Sequence, residues 1–275
     1  MALKEVMAAL ASKTADELTY TDVSDAYIYY LRIDFDPVGI KYCFDETEIP
    51  QYKINAKAKA RLTYCQYLAM ARGGHKALFM EPGQLLCENA EPVFGFRDLD
   101  KEKDTQRHMK YLRDEELAWK ATLEKAKLPK GRCKGIYVAP LALYDAAGLD
   151  PDIVFFMPYP YQAYHILNDY MGAMGKSSLL FNHTPNSAVC SGSVWAYNHN
   201  TANLTTMCAG SKTSGKTDMA MLNLFIPGQQ IKPTAAQLIK RVAETGGPSV
   251  LGKGGEPWPG LDVCKGCPLF KYEAV

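Results

Sequence analysis

Residues 151–181 read PDIVFFMPYPYQAYHILNDYMGAMGKSSLLF, and they set the fold class. Pro151 to Met157 is apolar almost throughout, the pattern of a strand buried on both faces and so central in its sheet. Pro158 and Pro160 end the strand. Pro160 also suits the first turn of a helix over 161–174, which Gly175 terminates. Ser178 to Phe181 reads as the next strand. Strand, helix and strand in close succession predict an α/β or α+β globule with a mixed sheet flanked by helices.

The flanking chain extends that pattern. Toward the N-terminus, 2–18 reads as a helix, Tyr20 to Arg32 as helix or strand, and 37–44 as a strand. Ala58, Leu62, Cys65 and Ala69 follow the helical period and predict a helix over 56–72, stopped by Gly73 and Gly74. Residues 77–80 read as a strand running into a loop that carries Cys87. Residues 100–127 are strongly charged with a thin apolar stripe (Leu112, Trp119, Leu123), a solvated helix with no chemistry assigned. Residues 135–139 form a further strand. Toward the C-terminus come a strand over 219–226 and a helix over 234–244 with a Thr234–Gln237 capping box. Residues 1–247 are expected to form one domain, and 248–275 a loop-like tail. Strand 38–44, helix 56–72, strand 77–80 and Cys87 echo strand 152–157, helix 161–174, strand 178–181 and Cys190. Two related halves, 25–130 and 131–247, are one explanation; the frequency of strand–helix–strand units is the other.

The 275 residues carry a formal net charge of +1, so no basic footprint points to nucleic acid. No apolar run approaches the roughly 18 residues that span a bilayer. The opening MALKEVMAALASK lacks the apolar centre and cleavage site of a signal peptide, which leads to an expectation of a cytoplasmic protein. In a reducing cytoplasm the eight cysteines are not a disulfide framework. They are buried small hydrophobes or, for a subset, thiolate ligands.

The loudest motif is Gly210-Ser-Lys-Thr-Ser-Gly-Lys216-Thr217, a literal match to the phosphate-binding loop, in which Lys216 would reach phosphates and Thr217 a magnesium ion. Its context fails. The preceding TANLTTMCA is too polar for a central strand, and a strand rather than a helix follows. Cys264-Lys-Gly-Cys267-Pro has chelating spacing but stands alone in the tail. Cys87, Cys190 and Cys208 fall in predicted loops after strands, where ligands converge in α/β folds. Cys65, on the apolar face of its helix, is a core residue or a fourth ligand. Cys43 and Cys133 sit in or beside strands and read as structural. His183 and His199 are candidates for cofactor binding or acid–base work, with ordinary surface positions as the bland alternative. Seventeen tyrosines, including those of PYPYQAY at 158–164, fit an aromatic-walled pocket or simple core packing.

Several segments together resemble the domain of unknown function 169 family. They are Pro37-Val-Gly-Ile-Lys41, Cys65 with Ala69 and Gly73, Cys87-x-x-Ala90 with Gly95, and Pro151-Asp-Ile-Val-Phe through Gln162-Ala163. Cys190, Cys208-Ala-Gly-Ser and Phe225-Ile-Pro-Gly228 complete the series, which covers about residues 25–245. The resemblance implies a cytoplasmic prokaryotic protein with several loop cysteines and brings no activity with it. The tail pair Cys264 and Cys267 is not part of the family's common pattern.

The leading expectation is a redox or metal-cofactor protein. Cys65, Cys87, Cys190 and Cys208 would hold an iron–sulfur cluster or another thiolate-bound metal, with Cys264 and Cys267 as a second pair. The alternatives are a nucleotide- or anion-binding enzyme using the Gly210–Thr217 loop, and a non-catalytic small-molecule-binding protein. Expected partners are a small molecule or redox protein, with neither nucleic acid nor membrane; a homo-oligomer is compatible with the sequence.

Overall fold

A computed structural model of the chain describes residues 3–49, 61–213, 215 and 217–245. Six strands form one open sheet: β1 (Val38–Cys43), β2 (Leu78–Met80), β3 (Gly135–Pro140), β4 (Ile153–Phe156), β5 (Asn203–Thr205) and β6 (Asn223–Pro227). Their spatial order is β2-β3-β1-β4-β6-β5, and every ladder is antiparallel. Ten α-helices are present among the described residues: α1 (Leu3–Ala11), α2 (Tyr20–Leu31), α3 (Tyr64–Gly74), α4 (Lys101–Gln106), α5 (Glu115–Leu123), α6 (Leu143–Ala147), α7 (Pro160–Met174), α8 (Ala188–His199), α9 (Ala209–Thr213) and α10 (Gly228–Thr245).

The expected α/β or α+β architecture, a sheet flanked by helices, is what the chain adopts, with β4 next to the sheet centre. The ladders are antiparallel rather than mixed because each half is a split β-α-β unit. β1 and β2 run in the same direction, with β3 inserted antiparallel between them; β4 and β5 do the same around β6. The two units meet at β1 and β4 through the pairs Val38–Phe155, Gly39–Val154 and Ile40–Ile153.

Alternation along the strands builds two cores. Tyr137, Ala139, Val154, Phe156, Leu224 and Ile226 face a layer that includes α2, α7 and α10. Helix α10 presents Ile231, Ala235, Leu238, Ile239 and Val242 to it at helical spacing. Arg241 clamps α10 to α7 through both oxygens of buried Asp169, at 2.7 and 2.8 Å. Ile136, Val138, Ile153, Phe155 and Phe225 face the other way, against α3 and α8. Burial on both faces explains why β3 and β4 are apolar without alternation.

Five local expectations change. The helix predicted over 56–72 begins at Tyr64, because Thr63 caps it: Gln66 N–H donates to the Thr63 hydroxyl and Thr63 N–H to the Gln66 side chain. The charged stretch 100–127 is two short helices around a tight turn at 108–110, not one. Residues 178–181 join no ladder; β5 takes the edge position, and Asn182 N–H bonds the Asn203 side chain instead. The segment around Cys190 is helix α8, not a loop. Its Gly- and Ser-rich composition reflects close approach to the sheet: a Cβ on Gly192 would lie 2.9 Å from both the Phe225 ring and the Thr205 methyl. Helix α10 also starts earlier than predicted, at Gly228, so Thr234 is interior and donates to the Gln230 carbonyl at 2.6 Å rather than capping. The predicted tail lies outside the described residues beyond Thr245.

Gly39 has no room for a side chain, since a Cβ there would lie 2.2 Å from the Tyr144 ring at the seam between halves. Gly39→Ala should therefore destabilise the protein by about 1–3 kcal/mol in denaturant unfolding. Gly73→Ala, in open space on α3, should be neutral or stabilise by up to about 1 kcal/mol. Equal effects would show that the seam yields freely.

Candidate functional site

Four thiols converge on the α3/α8 face of the sheet. Cys65 is the second residue of α3, placed in its first turn by the Thr63 cap. Cys190 is the third residue of α8. Its turn is backed by a buried relay in which Tyr42 Oη donates to Ser193 Oγ at 3.0 Å and Ser193 donates to the Cys190 carbonyl at 2.8 Å. Cys87 follows β2 in a loop stitched to the chain just before α3 by the Leu62–Leu85 bridge and by Leu86 N–H to the Leu62 carbonyl, 2.9 Å. Cys208 follows β5 at the start of α9, and Arg72 of α3 anchors the end of that turn through the Gly215 carbonyl at 2.7 Å.

The split β-α-β topology relates these positions. α3 and α8 each lead to an outer strand of their half, β2 and β5. Cys65 and Cys190 lie in the first turns of those helices, and Cys87 and Cys208 follow those strands. The sequence echo thus pairs elements differently from the expectation: the counterpart of α3 is α8 rather than the 161–174 helix, and that of Cys87 is Cys208 rather than Cys190. The first unit also runs on through β3, past residue 130.

All four cysteines line one cavity of about 330 Å³, together with Thr63, Tyr64, Arg107, Lys110, Tyr111 and the ends of α8 and α9. Cys65 and Cys190 are buried, Cys87 and Cys208 half-buried. The Cys65 thiol donates to Cys208, and Cys208 also accepts from the Ser211 backbone and hydroxyl, the latter at 3.7 Å. These bonds hold the Cys208 thiol well below its ordinary range, down to about 5, against the opposing effect of burial. Cys65, donating that bond from a buried site, is pushed far up. Burial raises Cys190 as well, reinforced by Cys87 and Cys208. Cys208 is the thiolate of the group and Cys65 its proton donor.

Cations surround the sulfurs. Arg107 Nη1 stands 3.9 Å from Cys87 Sγ. Lys125 is 4 % exposed, and the Ala126 N–H bond to Ser191 Oγ at 3.0 Å sets it beside the Cys190 turn. Burial lowers Lys125 to about 8, while Asp104, Cys190 and Cys87 favour its charged form. Sequence reasoning gave the 100–127 stretch no chemistry, yet it supplies Arg107, Lys110, Tyr111 and Lys125. Lys125 sits in the charged run Glu124-Lys125-Ala126-Lys127, where nothing in the sequence marks it as buried.

Among the described residues, no group of three or more His, Cys, Asp or Glu side chains stands at metal-ligating spacing. The thiols share a cavity without being preset as ligands; a cysteine has a single staggered torsion with which to bring its sulfur inward. Other predicted residues lie elsewhere. His183 is exposed before α8, and His199 is exposed at its far end, stacked on Trp195 with Nδ1–H donating to the Trp195 carbonyl at 2.9 Å. Neither lines the cavity. Cys43 and Cys133 are buried, bonded to backbone carbonyls and pushed up to about 12 by burial. Cys264, Cys267 and Lys216 lie outside the described residues. The phosphate-loop string is mostly α9 and a turn leading to β6, without the strand–loop–helix setting, and Thr217 Oγ1 donates to the Ser211 carbonyl at 2.8 Å.

The Cys208 assignment has a direct consequence. A brief alkylation with iodoacetamide at pH 6.5 should modify Cys208 ahead of Cys65, Cys190, Cys43 and Cys133, mapped by peptide mass spectrometry. Because the folded thiol titrates low, its rate should fall only as pH drops toward about 5. Cys65→Ala should slow it several-fold at pH 6.5 by removing the donor. Labelling of Cys208 no faster than Cys133 would refute the assignment.

A family model described as DUF169, uncharacterised ArCR, matches residues 28–237. No curated protein and no solved structure matches the chain. No helix among the described residues is long and apolar enough to cross a membrane.

Proposed function

The chain belongs to the domain of unknown function 169 family, and we propose that it is a redox or metal-cofactor protein holding an iron–sulfur cluster or another thiophilic metal through Cys65, Cys87, Cys190 and Cys208. The observation that carries this is the convergence of four thiols, from four separate segments and both halves of the sheet, on one cavity. Cys43 and Cys133, buried in the two cores, lie outside this cavity. Soft sulfur donors select zinc, copper(I) and iron–sulfur clusters over hard cations. The hydrogen bonds that hold the Cys208 thiol well below its ordinary range favour its thiolate, which would offer a first ligand. Arg107 and Lys125 offset the negative charge that further thiolates would bring.

Such a group, when bound, supplies electron transfer or Lewis acidity. The residues of this chain hold it, set the charge around it and leave it reachable through the half-buried Cys87 and Cys208. A small molecule or redox protein is the corresponding partner, and the cytoplasm, where thiols stay reduced, the corresponding location. His183 and His199 have no part in this site, and the tail pair Cys264 and Cys267 is not required for a four-sulfur set.

Anaerobic purification followed by metal and sulfide analysis tests the proposal, with reconstitution from iron and sulfide or from zinc. The full chain should carry a near-stoichiometric centre. Cys190→Ala and Cys208→Ala should each lose most of it, Cys43→Ala and Cys133→Ala almost none. A metal-free protein that takes up nothing on reconstitution, with all four cavity thiols open to a thiol reagent, would end the proposal.

A further inference from the structure

The same cavity has a second chemistry on its rim. Its lining includes two cations, Arg107 and Lys110, and no carboxylate. Glu88, which feels the Arg107 charge, is already paired with Lys103 at 2.8 Å. The N-terminal turns of α3 and α8, eleven and twelve residues long, both open on it. Helix N-termini favour anions through their unpaired N–H groups and dipole. At α3 the Thr63–Gln66 box satisfies that end. At α8 the cap is different. Ser187 holds a left-handed backbone with φ 60°, makes no side-chain cap bond, and is 3 % exposed. Its buried Oγ has no hydrogen-bond partner although Ser187 lines the cavity. A buried hydroxyl without a partner costs free energy unless a ligand satisfies it.

We propose that the mouth of the cavity binds a small anion, a carboxylate or inorganic oxyanion, between Ser187 with the first turn of α8 and the Arg107 and Lys110 side chains. This names the substrate class of the thiol centre and rests on that centre being where chemistry occurs. Arg107 is the bidentate partner, since its planar fork matches both carboxylate and oxyanion geometry. Lys110 adds a point charge. The volume of about 330 Å³ admits only a small molecule beside four sulfurs. Neither Arg107 nor Lys110 is needed for the fold: both are exposed, on the turn after α4.

Calorimetric titration of the anaerobically purified full chain with acetate and, separately, inorganic phosphate tests the site, with metal content measured on every sample. Expected is saturable binding of at least one anion at one site per chain. Arg107→Gln with Lys110→Gln should weaken it at least about tenfold with the thermal midpoint unchanged, and Ser187→Ala several-fold with metal content and thermal midpoint unchanged. The stronger anion distinguishes a carboxylate from an oxyanion substrate. No saturable binding by protein with an intact centre, or binding that the double variant retains, overturns the proposal. Binding that depends on these residues in protein without metal upholds the anion site and sinks the metal centre instead.

Discussion

Three residue pairs between β1 and β4 hold the two halves of the sheet in one register, and the site depends on them. A one-residue slip would turn Ile153 and Phe155 from the α3/α8 side to the other core. It would also shift α3 and Cys65 relative to α8 and Cys190, since each helix rides on its own half. Gly39 makes the register possible by admitting the Tyr144 ring against the backbone of β1. The seam is therefore a packing constraint with a chemical consequence, because thiols from separate halves face one cavity only if the halves are locked.

Within the cavity, electrostatics separates four chemically identical side chains. The hydrogen bond to Cys208 together with burial raises the Cys65 thiol, and burial raises that of Cys190, so both stay neutral as small hydrophobes would be. Cys208 escapes that fate only because the Cys65 thiol and the Ser211 backbone and hydroxyl donate to it. Lys125 and Arg107 hold positive charge close to Cys190 and Cys87 without placing a carboxylate among the sulfurs. A plain core does not keep a 4 % exposed lysine beside a thiol, because a buried cation is costly unless something nearby requires it.

The strands with the strongest apolar runs were legible in the sequence. β4, β3 and β1 lie where their composition places them, since burial on both faces leaves few polar residues to obscure the pattern. α8 was not legible, because Ser191, Gly192 and Ser193 read as loop and become helical only by close packing on β5 and β6. The same misreading matched α7 with the 56–72 helix, although α7 packs on the opposite core from α3. Among the site residues the cysteines were visible as types, but their convergence was not, because it depends on α3 and α8 sharing one face of the sheet and on the Leu62–Leu85 bridge. Ser187 was invisible: its oddity is a backbone angle and an empty hydrogen bond, neither of which composition encodes.

The departures from the internal repeat matter as much as the repeat. Topology alone gives four sulfurs in two related pairs. Each half then returns from its outer strand to its middle strand by a different route: from β2 to β3 through α4 and α5, and from β5 to β6 through α9. The first route brings Arg107 and Lys110 to the cavity and buried Lys125 within electrostatic reach of Cys190 and Cys87; the second brings Ser211 to Cys208. One connection contributes the positive charge and the other fixes the thiolate. A symmetric site would present two equivalent thiolates with no cation between them and the solvent. The asymmetry instead gives the cavity a sulfur floor and a cationic rim, the arrangement that the proposed binding of a small anion beside a thiol-held centre would use.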